Sequence, residues 1–147
     1  MENIALYAIS AALNGQKVFC KFLAANDTGL TGGHQEGIYI AKPAIPILFE
    51  TPGERGQNKD RWVEIKWQGD FIRRSRFIYY GQGSRNEYRI TNFGKGFPFL
   101  RPEYTGALFV LVMDSEEYYQ GFVLNTEDDI NPVSYTHLRA HETRHDL

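Results

Sequence analysis

The sequence has little of what marks several common protein classes. Cys20 is the single cysteine among 147 residues, so neither a disulfide framework nor a cysteine cluster for zinc is available. No run of about 18 or more apolar residues could span a bilayer, and no charged start followed by an apolar segment and cleavage site forms a signal peptide. These absences predict a soluble, cytoplasmic protein that has no membrane partner.

The formal net charge of -2 conceals an uneven distribution along the chain. Residues 71–101 carry 7 basic and 1 acidic side chains, whereas residues 102–132 carry 7 acidic and no basic ones. A concentrated basic block predicts a polyanion as partner. The acidic block could equally lie against it in the fold and cancel its field, so charge alone leaves both interpretations open.

Hydrophobic patterning predicts a single mainly β domain over residues 1–132. An Ala-rich apolar helix is predicted at residues 3–13, with Asn3 as its cap, and one more helical turn follows Pro46. Alternating β-branched and aromatic residues then predict strands at residues 17–25, 37–41, 61–67, 76–80, 87–91, 107–113 and 120–125. Seven short strands separated by turn clusters indicate a β-barrel or β-sandwich.

The last segment, residues 133–147, differs from the rest of the chain. Its three histidines, His137, His141 and His145, have the i, i+4, i+8 spacing of a metal-binding helix face. However, VSYTHLRAHET resembles, residue for residue, the translation of a transposase-type sequencing-library adapter. We therefore expect residues 133–147 to be a non-native, adapter-derived tail. We also expect the natural protein to continue beyond Pro132.

A candidate recognition strand lies in GQGSRNEYRITNFGKG, residues 81–96. Side chains alternate between the two faces of a strand, so Arg85, Glu87 and Arg89 share the face opposite the apolar Ile90. A strand rises about 3.3 Å per residue and duplex DNA about 3.4 Å per base pair, so alternate residues can meet base edges about two steps apart. Arginine suits guanine O6 and N7, and glutamate can accept from cytosine N4. An exposed Arg-Glu-Arg ion ladder that contributes little is the alternative.

Two glycine-rich regions accompany this strand. Gly-Gln-Gly before it and Gly-Lys-Gly after it can expose backbone N–H groups to phosphates, which makes Lys95 a candidate phosphate contact, the alternative being an ordinary loop lysine. The segment AANDTGLTGGHQEGIYI, residues 24–40, forms a second polar, bendable region. Its candidate DNA-contacting side chains are Thr28, Thr31, His34, Gln35 and Tyr39. A long β-connection with a solvent histidine is the competing interpretation.

A weaker motif indicates a different function. Glu64-Ile65-Lys66 is the Glu-x-Lys element with which many metal-dependent nucleases bind magnesium and orient water. It lacks a clear acidic partner upstream, the nearest candidates being Glu54 and Asp60. Strand alternation also explains it without chemistry, since its glutamate and lysine would face solvent. A nuclease site at Glu64 and Lys66 and a β-rich protein-interaction module stay open as alternatives.

The segments ANDTGLTGGHQEGIYI, SRNEYRITNFGKG and PEYTGALFVLV, in this order, resemble the N-terminal effector domain of EcoRII-type restriction endonucleases. The similarity runs from about Lys17 to Asp129 and is poor between residues 42 and 75. It implies a seven-stranded B3-like DNA-binding pseudobarrel with one or two short helices, whose two arms, residues 26–40 and 84–96, grip the major groove. Such domains bind a short site, typically 5'-CCWGG, and govern a separate C-terminal nuclease domain in a bacterial restriction-modification system.

The resemblance also implies roles for individual residues. Base reading is expected from His34, Arg85, Asn86, Glu87 and Arg89. The resemblance and the residue pattern together predict contacts to the DNA backbone from Lys21, Thr31, Tyr39 and Lys95, of which the resemblance itself carries over Tyr39. No catalytic residue, metal or cofactor is expected within this domain, because Mg²⁺ would serve only the separate nuclease domain of the parent chain. Gly83 and Tyr88 stand where the type member has lysines, which lowers the expected number of phosphate contacts.

Overall fold

The computed structural model describes residues 3–29 and 37–133. In these residues seven strands form one sheet: β1 (Lys17–Phe22), β2 (Ile38–Ile40), β3 (Lys59–Trp67), β4 (Phe71–Tyr80), β5 (Glu87–Thr91), β6 (Leu108–Met113) and β7 (Tyr118–Leu124). The α-helices found there are α1 (Ile4–Asn14), α2 (Ala25–Thr28), α3 (Ile45–Leu48) and α4 (Glu127–Val133). Single 3-10 turns occupy Lys42–Ala44, Gln68–Asp70 and Pro102–Tyr104. The predicted mainly β fold is confirmed.

The order of the strands places β5 next to the edge of the sheet. Neighbours follow the order β1-β6-β7-β3-β4-β5-β2. All pairs are antiparallel except β3 and β7, which are parallel. The β3–β4 hairpin is the longest ladder, running from Lys59 opposite Tyr79 to Trp67 opposite Phe71. As a result, β5 lies between β4 and the short edge strand β2.

Helices cover one part of the outer face of the sheet and leave another part open. The predicted cap of α1 is present, since the Asn3 side chain accepts a hydrogen bond from the backbone N–H of Leu6 at 3.1 Å. Ala5, Ala8 and Ala11 of α1 then pack with α4 on the outward residues of β6 and β7. The strand β6 is therefore buried on both faces, which explains its continuous apolar run. The longest described helix has 11 residues, and none of the described helices qualifies as a membrane span.

A buried carboxylate joins the two edge strands. Asp27 of α2 is 1% exposed, and its Oδ1 accepts the backbone N–H of Tyr39 on β2 at 3.0 Å. Its Oδ2 accepts the backbone N–H of Ala24 at 2.8 Å and pairs with Nζ of Lys21 on β1 at 2.8 Å. The same ammonium donates to the Tyr39 carbonyl at 2.9 Å. These contacts curl the sheet into an open barrel whose edges meet through side chains.

An arginine inside the barrel ties β3 to the segments around it. The guanidinium of Arg61 donates to the carbonyls of Leu48 and Glu116 at 2.7 and 2.6 Å and to the Tyr119 hydroxyl at 2.6 Å. The Tyr119 hydroxyl in turn donates to the Ile47 carbonyl at 2.7 Å. Buried polar groups are costly when left unpaired. Removing the Tyr119 hydroxyl would take one hydrogen-bond partner from Arg61 and one from the Ile47 carbonyl.

The network predicts a stability loss in alkaline solution. Burial raises the pKa of Tyr119 to about 12, although the positive charge of Arg61 opposes the change. The unfolded tyrosine has a pKa near 10, so the stabilising contribution is complete below about pH 10 and is lost as the pH rises to about 12. We expect Tyr119→Phe to cost about 1 to 3 kcal/mol at neutral pH. The gap to wild type should shrink at high pH in urea unfolding experiments; a gap that is independent of pH would contradict the assignment.

The chain end and β4 both differ from the sequence expectation. Val133, placed in the predicted tail, is the last residue of α4 and is 1% exposed. Residues 134–147 lie outside the described residues, so the adapter origin of the tail stays a prediction. The strand β4 begins at Phe71 rather than at residue 76. The sequence pattern did not indicate residues 71–75 as strand, because Arg73 and Ser75 occupy inward positions where apolar residues are expected. Their side chains donate to the carbonyls of Phe93 and Asn92, at 2.9 and 3.1 Å, instead of packing as apolar residues.

Candidate nucleic-acid interface

The predicted recognition residues lie on β5 and on the turn before it. Along β5, Tyr88 and Ile90 are 5% and 0% exposed and point into the core. Glu87 and Arg89 alternate with them and therefore point to the outer face. Arg85, two residues before Glu87, reaches the same face and contacts Glu87 there. The alternation predicted from the sequence is thus present.

Glu87 binds both arginines, and the three residues are called the Arg-Glu-Arg set below. Its Oε1 lies 2.9 Å from Nε and 2.8 Å from Nη2 of Arg85, and its Oε2 lies 2.8 Å from Nε of Arg89. Arg85, Glu87 and Arg89 have 37%, 22% and 14% of their side-chain surface exposed. The ion ladder considered as an alternative therefore exists. These contacts use three of the about four acceptor positions that a carboxylate offers, so they do not by themselves exclude a further donor.

The two guanidinium groups keep Glu87 ionised. Burial by itself would raise the pKa of this carboxyl, but the hydrogen bonds and positive charges of Arg85 and Arg89 bring it below its ordinary value. A lowered pKa contributes stability above the unfolded value of about 4.3 and loses it as the pH falls through the folded value. At neutral pH the set thus presents one negative charge between two positive ones.

Two tyrosines from the neighbouring strands flank the Arg-Glu-Arg set. Antiparallel partners lie on the same face, so Tyr80 of β4 lies beside Glu87 and Tyr39 of β2 lies beside Arg89. The Tyr80 ring centroid lies 3.7 Å from Cζ of Arg85, whereas the Tyr39 centroid lies 5.7 Å from Cζ of Arg89. Sequence reasoning missed Tyr80. The feature that could have indicated Tyr80 is the predicted β4–β5 hairpin, because a hairpin places the end of one strand beside the start of the next.

The remaining predicted contacts differ in how they are placed. Asn86 is exposed, and its Oδ1 accepts a hydrogen bond from the Tyr79 hydroxyl at 2.7 Å. Lys95 is exposed in the turn after β5, and Tyr39 is 43% exposed on the outer face. Their roles in DNA contact stay predictions. Three further candidates lie outside the described residues: Thr31, His34 and Gln35.

Two candidate contacts, Thr28 of the first predicted arm and Lys21 of β1, bind other parts of the fold. Thr28 is 1% exposed, and its hydroxyl lies 2.6 Å from that of Thr105, so the expectation of a DNA-facing donor here was wrong. The helix α2 turns this side chain inward. Lys21 is 19% exposed and spends two of its three N–H donors on Asp27 and the Tyr39 carbonyl. Its observed contacts close the barrel, and its role as a DNA-backbone contact stays a prediction.

Glycines on both sides of β5 have backbone conformations that other residues rarely adopt. Gly83 and Gly96 have φ angles of 64° and 78°, in the left-handed region. A Cβ atom added at either position would meet nothing within 4 Å. Both glycines are exposed, so the backbone at these two positions is accessible to a ligand. The expectation that the whole Gly-Gln-Gly segment exposes its N–H groups was wrong, because those of Gly81 and Gln82 donate to Oδ1 of Asn58 at 2.9 and 3.2 Å.

The basic block is less concentrated in the fold than along the chain. Arg73 points inward, where its guanidinium lies 4.1 Å from the Phe71 ring centroid and its Nε donates to a backbone carbonyl. Arg76 pairs with Asp60 on β3 at 2.6 Å. Between the described residues, no ion pair joins the basic block to the acidic block 102–132. The acidic block therefore does not neutralise the basic one by direct pairing in this part of the chain.

The Glu-x-Lys element lies on the outer face of β3. Glu64 and Lys66 are exposed, as the alternation predicted. Lys66 pairs with Asp70 at 3.4 Å, and the candidate acidic partner Asp60 pairs with Arg76. The exposed ion pairs account for Lys66 and Asp60 without a reaction.

The open barrel of seven strands, with a charged strand beside its edge, defines a B3-like pseudobarrel. A solved structure has the same fold: the B3 domain of the UbaLAI restriction endonuclease, a mutant form with cognate DNA. It superposes with a TM-score of 0.53 at 17% sequence identity, covering 82% of this chain and 79% of that one.

The sequence matches the family described as Restriction endonuclease EcoRII, N-terminal, over residues 12–135, and the chain belongs to this family. It is also 33% identical over 118 residues to the type II restriction enzyme EcoRII of Escherichia coli. That alignment covers 76% of this chain but only 29% of the relative. The resemblance seen in the sequence is thus confirmed for the N-terminal domain.

Proposed function

We propose that this domain binds double-stranded DNA sequence-specifically, as the effector domain of a type II restriction endonuclease of the EcoRII kind. The observation that carries the proposal is the Arg-Glu-Arg set on the outer face of β5, in a chain of the EcoRII N-terminal family. The UbaLAI B3 domain, which has the same fold, was crystallised with its cognate DNA. We assign the site to the major groove, since only there does each base pair have a distinct hydrogen-bonding pattern.

The chemistry of the set favours a site rich in G·C pairs. A guanidinium can donate to guanine O6 and N7 together, and a carboxylate can accept from cytosine N4. Arg85, Glu87 and Arg89 would read such pairs along the groove, with Asn86 and His34 assisting. A site of the type 5'-CCWGG has this composition at both ends. Backbone contacts are assigned to Lys21, Thr31, Tyr39 and Lys95.

The domain itself is assigned no catalytic residue and no cofactor. Because the chain spans 29% of the EcoRII relative, we assign the nuclease reaction and its Mg²⁺ to a separate domain of the parent protein. DNA binding by the present domain would govern that reaction.

Selection of bound duplexes from a random pool tests the proposal. We expect enrichment of a short site bounded by G·C pairs, with a specificity of about 10³-fold or more over random duplex at moderate salt. Binding should weaken steeply with salt, because phosphate contacts release counterions. A lack of binding to any duplex at low salt would instead support a protein-interaction module. Magnesium-dependent cutting of plasmid that Glu64→Ala abolishes would support the nuclease alternative.

A further inference from the structure

The guanidinium of Arg85 contacts an aromatic ring of β4. Its Cζ lies 3.7 Å from the ring centroid of Tyr80, the shortest cation-to-ring distance between described residues. At this distance the guanidinium lies in direct contact with the ring. Tyr80 is the last residue of β4 and pairs with Glu87 of β5, so the hairpin itself aligns the ring with the outer face.

Tyr80 and Glu87 constrain the guanidinium in complementary ways. The ring of Tyr80 limits motion out of the guanidinium plane, and the carboxylate of Glu87 holds Nε and Nη2 from the side, at 2.9 and 2.8 Å. Charge-assisted bonds of this kind are short and directional. A tyrosine ring brings this contact area with only two side-chain torsions, so it is itself ordered at low entropic cost.

We propose that Tyr80 is a positioning residue for base recognition: it holds the Arg85 guanidinium in a fixed plane before DNA arrives. The inference rests on the proposed function. A long side chain that is already ordered loses less entropy when it meets a base. The contribution of Tyr80 therefore belongs to cognate binding, where Arg85 must adopt one geometry, and not to general attraction to phosphates.

The test compares two variants and a matched control. Tyr80→Leu removes the ring, Tyr80→Phe keeps it, and Tyr118→Leu removes another tyrosine of the outer face that is 54% exposed. We expect Tyr80→Leu to raise the Kd for the selected duplex about threefold to tenfold, the size expected for ordering one long side chain. Its Kd for random duplex should stay unchanged, and the other two variants should match wild type on both.

A double-mutant cycle separates positioning from a general structural effect. In an Arg85→Ala background, Tyr80→Leu should cause no further loss, because the group that it positions is gone. A loss of the same size in that background, or an unchanged Kd for Tyr80→Leu alone, would overturn the inference. Wild-type protein that binds all duplexes equally would reject the proposed function itself, and the inference with it.

A spectroscopic measurement keeps the inference testable should Tyr80→Leu fail to fold. The Cδ protons of Arg85, which form no hydrogen bond, should be shifted upfield in the free protein by the ring current of Tyr80, and Tyr80→Phe should keep this shift. Cδ proton signals at the ordinary arginine position in wild type would show that the stack is absent in solution, and the inference would fall.

Discussion

Replacing Arg89 by alanine is expected to weaken binding to the cognate duplex by about 1 to 3 kcal/mol, or about fivefold to 150-fold in Kd. The same change should alter binding to random duplex far less. The reason is that a base-reading arginine forms its paired hydrogen bonds only on the correct base, whereas phosphates are present in every sequence. Arg89 lies nearest to β2, with Glu87 at 2.8 Å and Tyr39 beside it.

Two control variants separate base reading from the general attraction of positive charge to DNA. Arg74→Ala removes the same charge from the exposed outer face of β4, and the ratio of cognate to random affinity should not change. Lys95→Ala, in the turn after β5, should weaken all duplexes alike and reduce the salt slope by about 1. Unfolding of each variant should be measured too, since Arg89 is only 14% exposed. Equal losses on cognate and random duplex for Arg89→Ala would remove the base-reading assignment.

Replacing Asp27 by alanine should have the largest effect on stability. The change leaves two backbone N–H groups, those of Ala24 and Tyr39, without their acceptor and leaves Lys21 without its counter-ion. Removing one partner of a buried pair costs about 3 to 5 kcal/mol. We expect the lower end of this range, about 3 kcal/mol, because Lys21 is 19% exposed and can turn to solvent. The free energy of unfolding in urea measures this directly.

A surface pair of similar length provides the comparison for Asp27. Asp60 lies 2.6 Å from Arg76, but the two side chains are 40% and 35% exposed. Water screens such a pair, and Asp60→Ala should cost less than about 1 kcal/mol. Similar losses for the two aspartates would mean that the edges of the sheet do not depend on the Asp27 contacts. Weakened closure should also move Tyr39, and with it the flank of the recognition strand.

Strands could be predicted where one face is uniformly apolar. The core of β5 was recognised because Tyr88 and Ile90 alternate with charged residues, and β6 because its run is apolar throughout. The first half of β4 was missed because Arg73 and Ser75 point inward and are satisfied by carbonyl groups of the chain after β5. No pattern within the sequence of β4 predicts those carbonyl acceptors, because they belong to another segment.

The start of the first arm was mispredicted at Thr28 for a related reason. The composition of residues 24–29 resembles a flexible loop, and Thr28 was expected to face DNA. In the fold, the Asp27 carboxylate accepts the backbone N–H of Ala24, and α2 forms with Thr28 inside. A polar residue near glycine can be buried where groups of another segment bind it. For Asp27, Lys21 and Tyr39 are such partners, and both lie outside residues 24–29.

The sequence by itself determined which side chains share a face of each strand, and hence that Glu87 and Arg89 stand together on the outside of β5. This property is local, since it follows from the alternating geometry of one extended segment. Only the tertiary structure decided which strand lies beside which. That pairing supplies the Tyr80 ring beneath Arg85, the Asp27 contacts between the sheet edges, and the inward turn of Arg73. Each depends on contacts between separate segments, which no pattern within one segment can encode.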